Sequence, residues 1–127
     1  KRTGPDLARV GGKYPNLWHV KHLMDPLTVS PGSNMPVYAH LANEKVDFEK
    51  TQAKLSAMKA IGVPYTDTQL AHASDDAKAQ AAQIAADLKE SGQEVAADSE
   101  MVALVSYLQR LGKQPEPEKR DGISQKE

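Results

Sequence analysis

Met35 lies in a segment rich in proline and glycine and is followed directly by Pro36. A methionine thioether can bind haem iron opposite a histidine, and a neighbouring proline restricts the backbone that carries this flexible ligand. Met35 is therefore a candidate metal ligand, and a methionine at the edge of an ordinary core is the alternative. The 127 residues contain no cysteine, so they lack the Cys-x-x-Cys-His motif that attaches a c-type haem.

A second group of candidate residues lies near the N-terminal end. Pro5, within the run GPDL at 4–7, has no amide hydrogen, so its carbonyl oxygen is free to accept from the imidazole of a metal ligand. A simple turn is the alternative. Other residues nearby offer charged, hydroxyl or indole donors for carboxylates such as haem propionates, with solvated loop residues as the alternative. They are Arg9, Lys13, Tyr14 and Trp18.

The histidines suggest a weaker alternative. His19 and His22 stand three residues apart, and two histidines at that spacing on a helix can bind zinc. The sequence shows no third ligand of matching geometry, and such pairs are usually structural. This hypothesis predicts a thermal shift with zinc that His22→Ala abolishes. His40 and His72 are isolated and suggest no function.

Composition and motifs exclude several classes of function. A net charge of −1, from 16 basic and 17 acidic residues, gives no electrostatic case for binding nucleic acid or an anionic membrane surface. No Ser-His-Asp order, glycine-rich phosphate loop or paired-carboxylate motif favours hydrolytic or nucleotide chemistry. No apolar run approaches the roughly 20 residues that cross a bilayer. The length fits one domain.

The sequence predicts an all-α fold, whose helices should position these residues. Apolar spacing and capping residues predict four helical stretches. Their expected limits are about 16–25, 47–61, 67–90 with a break near Ser74, and 98–112, where Asp98 or Ser99 is the N-cap.

The predicted stretches differ in their apolar faces. The last has the strongest one, and the third is mostly alanine, so we expect it to be held least firmly. The second should bury a stripe formed by Phe48, Leu55, Met58 and Ile61. Residues 1–15 and 25–46 are predicted to be irregular.

Five segments taken together resemble one known family. They are RTGPDLARVGGKY at 2–14, WHVKHL at 18–23, SNMPVY at 33–38, GVPYTD at 62–67 and EMVALVSYLQRLG at 100–112. In content and order they are similar to subunit II of cbb3-type cytochrome c oxidases, a mono-haem, membrane-anchored cytochrome c subunit. The resemblance covers residues 1–112 and implies a class I cytochrome c-like domain, all-α and incomplete at its N-terminal end. Residues 113–127 are expected to be a disordered, charged tail.

The resemblance also implies a cofactor, partners and a location. Met35 matches the axial methionine of a haem c, and Pro5 matches the proline beside the proximal histidine. Arg9, Tyr14 and Trp18 would surround the haem by their position alone. The full-length protein would be a non-catalytic electron-transfer subunit on the periplasmic side of the bacterial inner membrane. It would pass electrons toward the haem-copper subunit that reduces oxygen, with a di-haem cytochrome c subunit as another partner.

The missing attachment motif leads to further expectations. That motif and the N-terminal membrane anchor are expected upstream of Lys1, so we expect no covalently bound haem on these residues and no electron transfer by them alone. The loops at 1–15 and 25–46 should be loose without haem, and an uncovered haem-facing surface favours a homo-oligomer. The alternative function is a haem-free helical interaction module without a redox role, in which Met35 and Pro5 are incidental.

Overall fold

The computed structural model describes residues 6–113, which form six α-helices and three short 3-10 turns. The helices are α1 (Asn16–Met24), α2 (Pro26–Val29), α3 (Thr51–Ala60), α4 (Asp67–Ala71), α5 (Ala73–Glu90) and α6 (Glu100–Arg110). The 3-10 turns are Leu7–Arg9, Ala39–Ala42 and Phe48–Lys50. Between residues 6 and 113 the extended structure is limited to an isolated antiparallel bridge that pairs Lys45 with Ser99. The predicted all-α class is confirmed.

The hydrophobic core lies where α1, α5 and α6 meet. The strong apolar face predicted for the last helix is confirmed, because Met101 and Val105 are fully buried. Burying side chains of this size stabilises a fold by about 1.5–3 kcal/mol each. The buried members of the cluster are Val20, Leu23, Ala81, Leu88, Met101, Val102 and Val105.

Side-chain caps explain where several helices begin. The Ser99 hydroxyl group accepts from the Val102 amide at 3.3 Å, which fixes the start of α6 as expected. Asp47 caps the 3-10 turn that leads into α3, and its carboxylate accepts from the Glu49 amide at 3.1 Å. The expected break in the long alanine-rich stretch lies at His72, between α4 and α5.

The region 25–46 is less irregular than predicted. It contains α2 and the 3-10 turn Ala39–Ala42. Pro26 both ends α1 and begins α2, because its fixed φ and missing amide hydrogen suit the first position of a helix. The sequence prediction includes only the first of these two effects.

The stripe predicted for α3 is wrong at its C-terminal end. Met58 is 43% exposed and Ile61 77% exposed. The helix turns there into α4 through Gly62 and packs on α5 and its own flanking elements, so no described element covers this end. None of the helices in the described part is long and apolar enough to span a membrane. Pro5 and nearly all of the predicted tail lie outside the described residues.

Candidate functional site

Met35 lies on a loop that is docked onto the end of α1. We call residues 30–46 the methionine loop. The Met35 amide donates to the Ser33 hydroxyl oxygen at 3.1 Å, and the Tyr38 amide donates to the Leu23 carbonyl at 2.8 Å. The Met35 side chain is half-buried and packs against the core cluster. Its side chain is therefore held against the core and is only partly exposed to solvent.

The far end of the methionine loop is bound to the start of α6. The Val46 amide donates to the Asp98 carbonyl at 2.7 Å, and the Glu100 amide donates to the Glu44 carbonyl at 2.8 Å. An exposed ion pair adds to this contact, with 3.8 Å between Lys45 Nζ and an Asp98 carboxylate oxygen. The loop is thus docked at its middle and at its C-terminal end, mainly by backbone hydrogen bonds.

Two carboxyl groups meet at this second contact. A hydrogen bond between the side chains of Glu44 and Glu100 raises the pKa of Glu100, and partial desolvation and the charge of Glu44 act in the same direction. The nearby charge of His40 opposes this rise. The pair therefore retains a proton to a higher pH than an isolated glutamate does.

A different loop docks at the C-terminal end of α6. We call residues 6–15 the N-terminal loop. The Gly12 amide donates to Gln109 Oε1 at 2.9 Å. Gln109 Nε2 donates to the Tyr14 carbonyl at 2.8 Å and to Asn16 Oδ1 at 2.9 Å. One side-chain amide therefore binds this loop and the start of α1 to α6.

Two glycines allow this loop and the end of α6 to approach backbone to backbone. A Cβ atom at Gly11 would lie 2.5 Å from the Leu111 carbonyl oxygen, to which the Gly11 amide donates at 2.9 Å. Gly112 has a φ of 81°, and a Cβ atom there would collide with the Ala8 carbonyl oxygen. Only glycine fits either position without a shift of backbone.

Aromatic rings cover the first turns of α1. Tyr14 stacks on Trp18 with 3.9 Å between ring centroids, and Trp18 stacks on His22 at 4.7 Å. His19 meets the Tyr14 and Trp18 rings edge-on, at 6.2 and 5.2 Å. His19 is 3% exposed, and burial, followed by the charge of His22, lowers its pKa. It is therefore neutral at neutral pH.

The structure brings some of the predicted site residues together and separates others. Tyr14 and Trp18 are in contact at the start of α1, whereas Met35 lies on the methionine loop, which is bound to the last turn of that helix through Tyr38. Arg9 is exposed, and its Cα atom lies close to Gly112. Among the described residues, no group of three or more histidine or acidic side chains is arranged to hold a metal ion. The zinc hypothesis therefore gains no support from this structure.

Sequence reasoning missed Gln109 and gave His19 no role apart from zinc. Gln109 follows Met101 and Val105 at intervals of four, so it continues the buried face of α6 as a polar residue. His19 likewise shares a helix face with buried Leu23. A polar residue on an otherwise apolar stripe is a sequence signal for a specific buried contact, and it could have identified both residues.

The helical core and the docked methionine loop are consistent with an all-α domain of the cytochrome c-like class. The family described as cytochrome c oxidase, mono-haem subunit/FixO, matches residues 1–114. Because the match covers most of the chain, the protein belongs to this family, the mono-haem subunits (subunit II) of cbb3-type oxidases. No curated protein sequence matches the chain.

Family membership confirms the resemblance and the fold class, and it implies a role in electron transfer. This role counts against the alternative of a helical module without redox function. As the chain has no cysteine, it has no attachment point for covalently bound haem.

The described residues fit a haem in two respects. Met35 offers a half-buried thioether beside the apolar core, which suits an axial iron ligand. At the other end of α1, the Nε2 atom of His19 is buried without a hydrogen-bond partner among the described residues. The Trp18 indole N–H and the Tyr14 hydroxyl group are further hydrogen-bond donors on the stacked rings beside His19. These polar groups suit the carboxylates of a haem.

Proposed function

We propose that this chain supplies the methionine side of the haem c site in the electron-transfer subunit of a cbb3-type oxidase. Met35 would hold the iron together with a histidine from an attachment motif outside these 127 residues. The observation that carries this proposal is the half-buried Met35 side chain on a loop docked at two points. A haem with histidine and methionine ligands supplies a one-electron carrier without an open coordination position.

The chain's own residues have distinct roles in this proposal. Hydrogen bonds from Tyr38 to Leu23 and from Val46 to Asp98 hold the methionine loop in place, so that little of the entropy of ordering the ligand remains to be lost when it binds iron. Packing against the core half-buries the Met35 side chain.

The residues of the N-terminal side would act on the periphery of the haem. Tyr14 and Trp18 would donate to the propionates, and exposed Arg9 would add positive charge near them. The Pro5 carbonyl would accept from the proximal imidazole and fix its orientation. These four assignments rest on position in the chain and on donor chemistry.

The family supports other subunits of the oxidase as partners. As part of an oxidase complex, the subunit would pass electrons to the haem-copper subunit, with a di-haem cytochrome c subunit beside it. We place it on the periplasmic side of the bacterial inner membrane. Without haem and without the preceding sequence, the 127 residues would be inactive, and their uncovered apolar surface would favour self-association.

The test is a redox titration of a longer chain that includes the attachment motif and has been matured with haem. Because methionine ligation raises the potential relative to two histidines, Met35→His should lower the midpoint potential while the iron stays six-coordinate. Met58→Leu, at an exposed methionine of α3, is the matched control and should leave the potential unchanged. An unchanged potential in Met35→His would contradict the proposed ligation.

A further inference from the structure

His19 is a buried polar side chain whose hydrogen bonding is incomplete. The residue is 3% exposed, and its Nε2 atom has no partner among residues 6–113. Unpaired buried nitrogens are rare in native proteins, because each one loses its hydrogen bonds to water without gaining a replacement. A phenylalanine or leucine would fill this position without that cost, so the imidazole requires an explanation.

The surroundings of His19 fix the orientation of its ring. Tyr14 and Trp18 meet the imidazole at interplanar angles of 84° and 85°, and the two rings are themselves stacked. Hydrogen bonds from Gln109 to the Tyr14 carbonyl and to the Asn16 side chain fix the segment that leads into α1. The Nε2 atom is therefore held in place by aromatic packing rather than by a polar partner.

The charge state of His19 determines which partner fits. Burial and the nearby His22 both lower the pKa of His19, so its imidazole is neutral and carries a single N–H donor. With the proton on Nε2, that nitrogen is a donor that would pair best with an anionic oxygen. The Lys13 ammonium group lies 5.5 Å from the centre of the Tyr14 ring, so it adds positive charge near this aromatic cluster.

The carboxylate that the structure places at the beginning of α1 is already engaged. Asp87 of α5 accepts there from the Asn16 side chain at 2.9 Å. We propose that the Nε2–H group of His19 donates to a carboxylate, and that this carboxylate is a haem propionate. His19 would then be a positioning residue that fixes the haem in the first turns of α1. This inference rests on the proposed function.

Resonance Raman spectra of the haem-loaded longer chain test this hydrogen bond through the propionate bending bands. His19→Phe keeps the shape of the ring but removes the donor, so these bands should shift and the midpoint potential should fall, since an unpaired propionate places more negative charge near the iron. His19→Gln retains an N–H donor and should preserve the native bands. His22→Phe keeps a ring on Trp18 and is the matched control, for which neither readout should change.

The outcomes separate this inference from the proposed function. If the propionate bands and the potential are native in His19→Phe, the inference is overturned, even if Met35→His still lowers the potential. If the bands shift in His19→Phe but the potential of Met35→His is unchanged, the hydrogen bond is supported and the methionine ligation fails.

A second measurement serves if His19→Phe does not fold, because it uses the native haem-loaded chain. Nitrogen-15 NMR of ring-labelled histidine reports which nitrogen of His19 carries the proton. A proton on Nε2 that exchanges slowly with solvent supports the hydrogen bond. A proton on Nδ1, with Nε2 bare, would overturn the inference, because a bare nitrogen cannot donate to a carboxylate.

Discussion

The N-terminal loop and the methionine loop flank the same helix, α1, but are held by different kinds of contact. The N-terminal loop depends on particular residues, because Gln109 donates and accepts through its side chain and Gly112 leaves room for the Ala8 carbonyl. The methionine loop is docked mainly by backbone groups, with the Tyr38 and Val46 amides as donors.

This difference predicts where each loop is sensitive to substitution. Backbone hydrogen bonds persist when side chains change, so the methionine loop should tolerate most substitutions that leave its ends and the cap of α6 intact. A docking surface made by one amide side chain and two glycines fails when any of these residues is replaced. The proposed ligand Met35 thus lies on the loop whose docking depends less on particular side chains.

The largest difference in the free energy of unfolding should appear between alanine substitutions at two glycines with similar φ values. Gly112 and Gly32 have φ values of 81° and 82°, but only Gly112 is in close contact with another backbone segment. Gly112→Ala should lower the free energy of unfolding by about 3 kcal/mol, from left-handed strain and a collision together. Gly32→Ala should lower it by about 1 kcal/mol, from strain alone. Urea denaturation measures both, and equal losses would contradict the contrast between the loops.

The next effect concerns the side chain that docks the N-terminal loop. Gln109→Leu removes three hydrogen bonds, to Gly12, Tyr14 and Asn16, and should lower the free energy of unfolding by about 2 kcal/mol. Amide hydrogen exchange should show faster exchange at Gly12, while Tyr38 in the methionine loop keeps its protection. Gln83→Leu, on the exposed surface of α5, is the control. Loss of protection in both loops would show that they are not independent.

A smaller effect is expected at the cap of α6, where the methionine loop is bound. Ser99→Ala removes the acceptor for the Val102 amide and should lower the free energy of unfolding by about 1 kcal/mol. Because Ser99 also pairs with Lys45, exchange should increase at Val46 but not at Gly11. The reverse pattern, with Gly11 affected and Val46 protected, would contradict the assignment of this cap to the methionine loop.

The smallest effect is a pH dependence at the Glu44–Glu100 pair. The folded state raises the pKa of Glu100 above its usual value of 4.5, so the pair stabilises the fold below that pH and loses this contribution as pH rises through the folded pKa. Glu100→Gln should remove this loss, so the melting temperature should fall less as pH rises through the folded pKa of Glu100. Asp67→Asn is a control whose effect on the pH dependence of stability should have the opposite sign, because the hydrogen bond with Lys59 lowers the pKa of Asp67. An unchanged profile in Glu100→Gln would show that the pair does not stabilise the loop.

The helices can be predicted from the sequence largely because their signals are local. Asp47 and Ser99 act as caps within three residues of themselves, and the apolar face of α6 has a regular spacing. The start of α2 escapes prediction because Pro26 ends one helix and begins another within two residues. The exposure of Met58 and Ile61 escapes it because an apolar stripe does not indicate whether another element is present to cover it.

The candidate site is less predictable because its contacts join distant parts of the chain. Gln109 and Gly12 are 97 residues apart, and no local pattern pairs them. Residue type and family resemblance identify Met35, and the structure adds that its loop is docked on α1 and α6. The assignments of Pro5, Arg9, Tyr14, Trp18 and Met35 to a haem remain predictions.

The visible spectrum of the haem-loaded chain with Met35→Ala tests the central claim most directly. In the native protein, a methionine sulfur bound to oxidised haem iron should give a weak band at the long-wavelength end of the visible range. Met35→Ala should abolish this band, whereas Met58→Ala, at an exposed methionine, should keep it. A native spectrum in Met35→Ala would show that Met35 is not the iron ligand and would contradict the proposed role of the methionine loop.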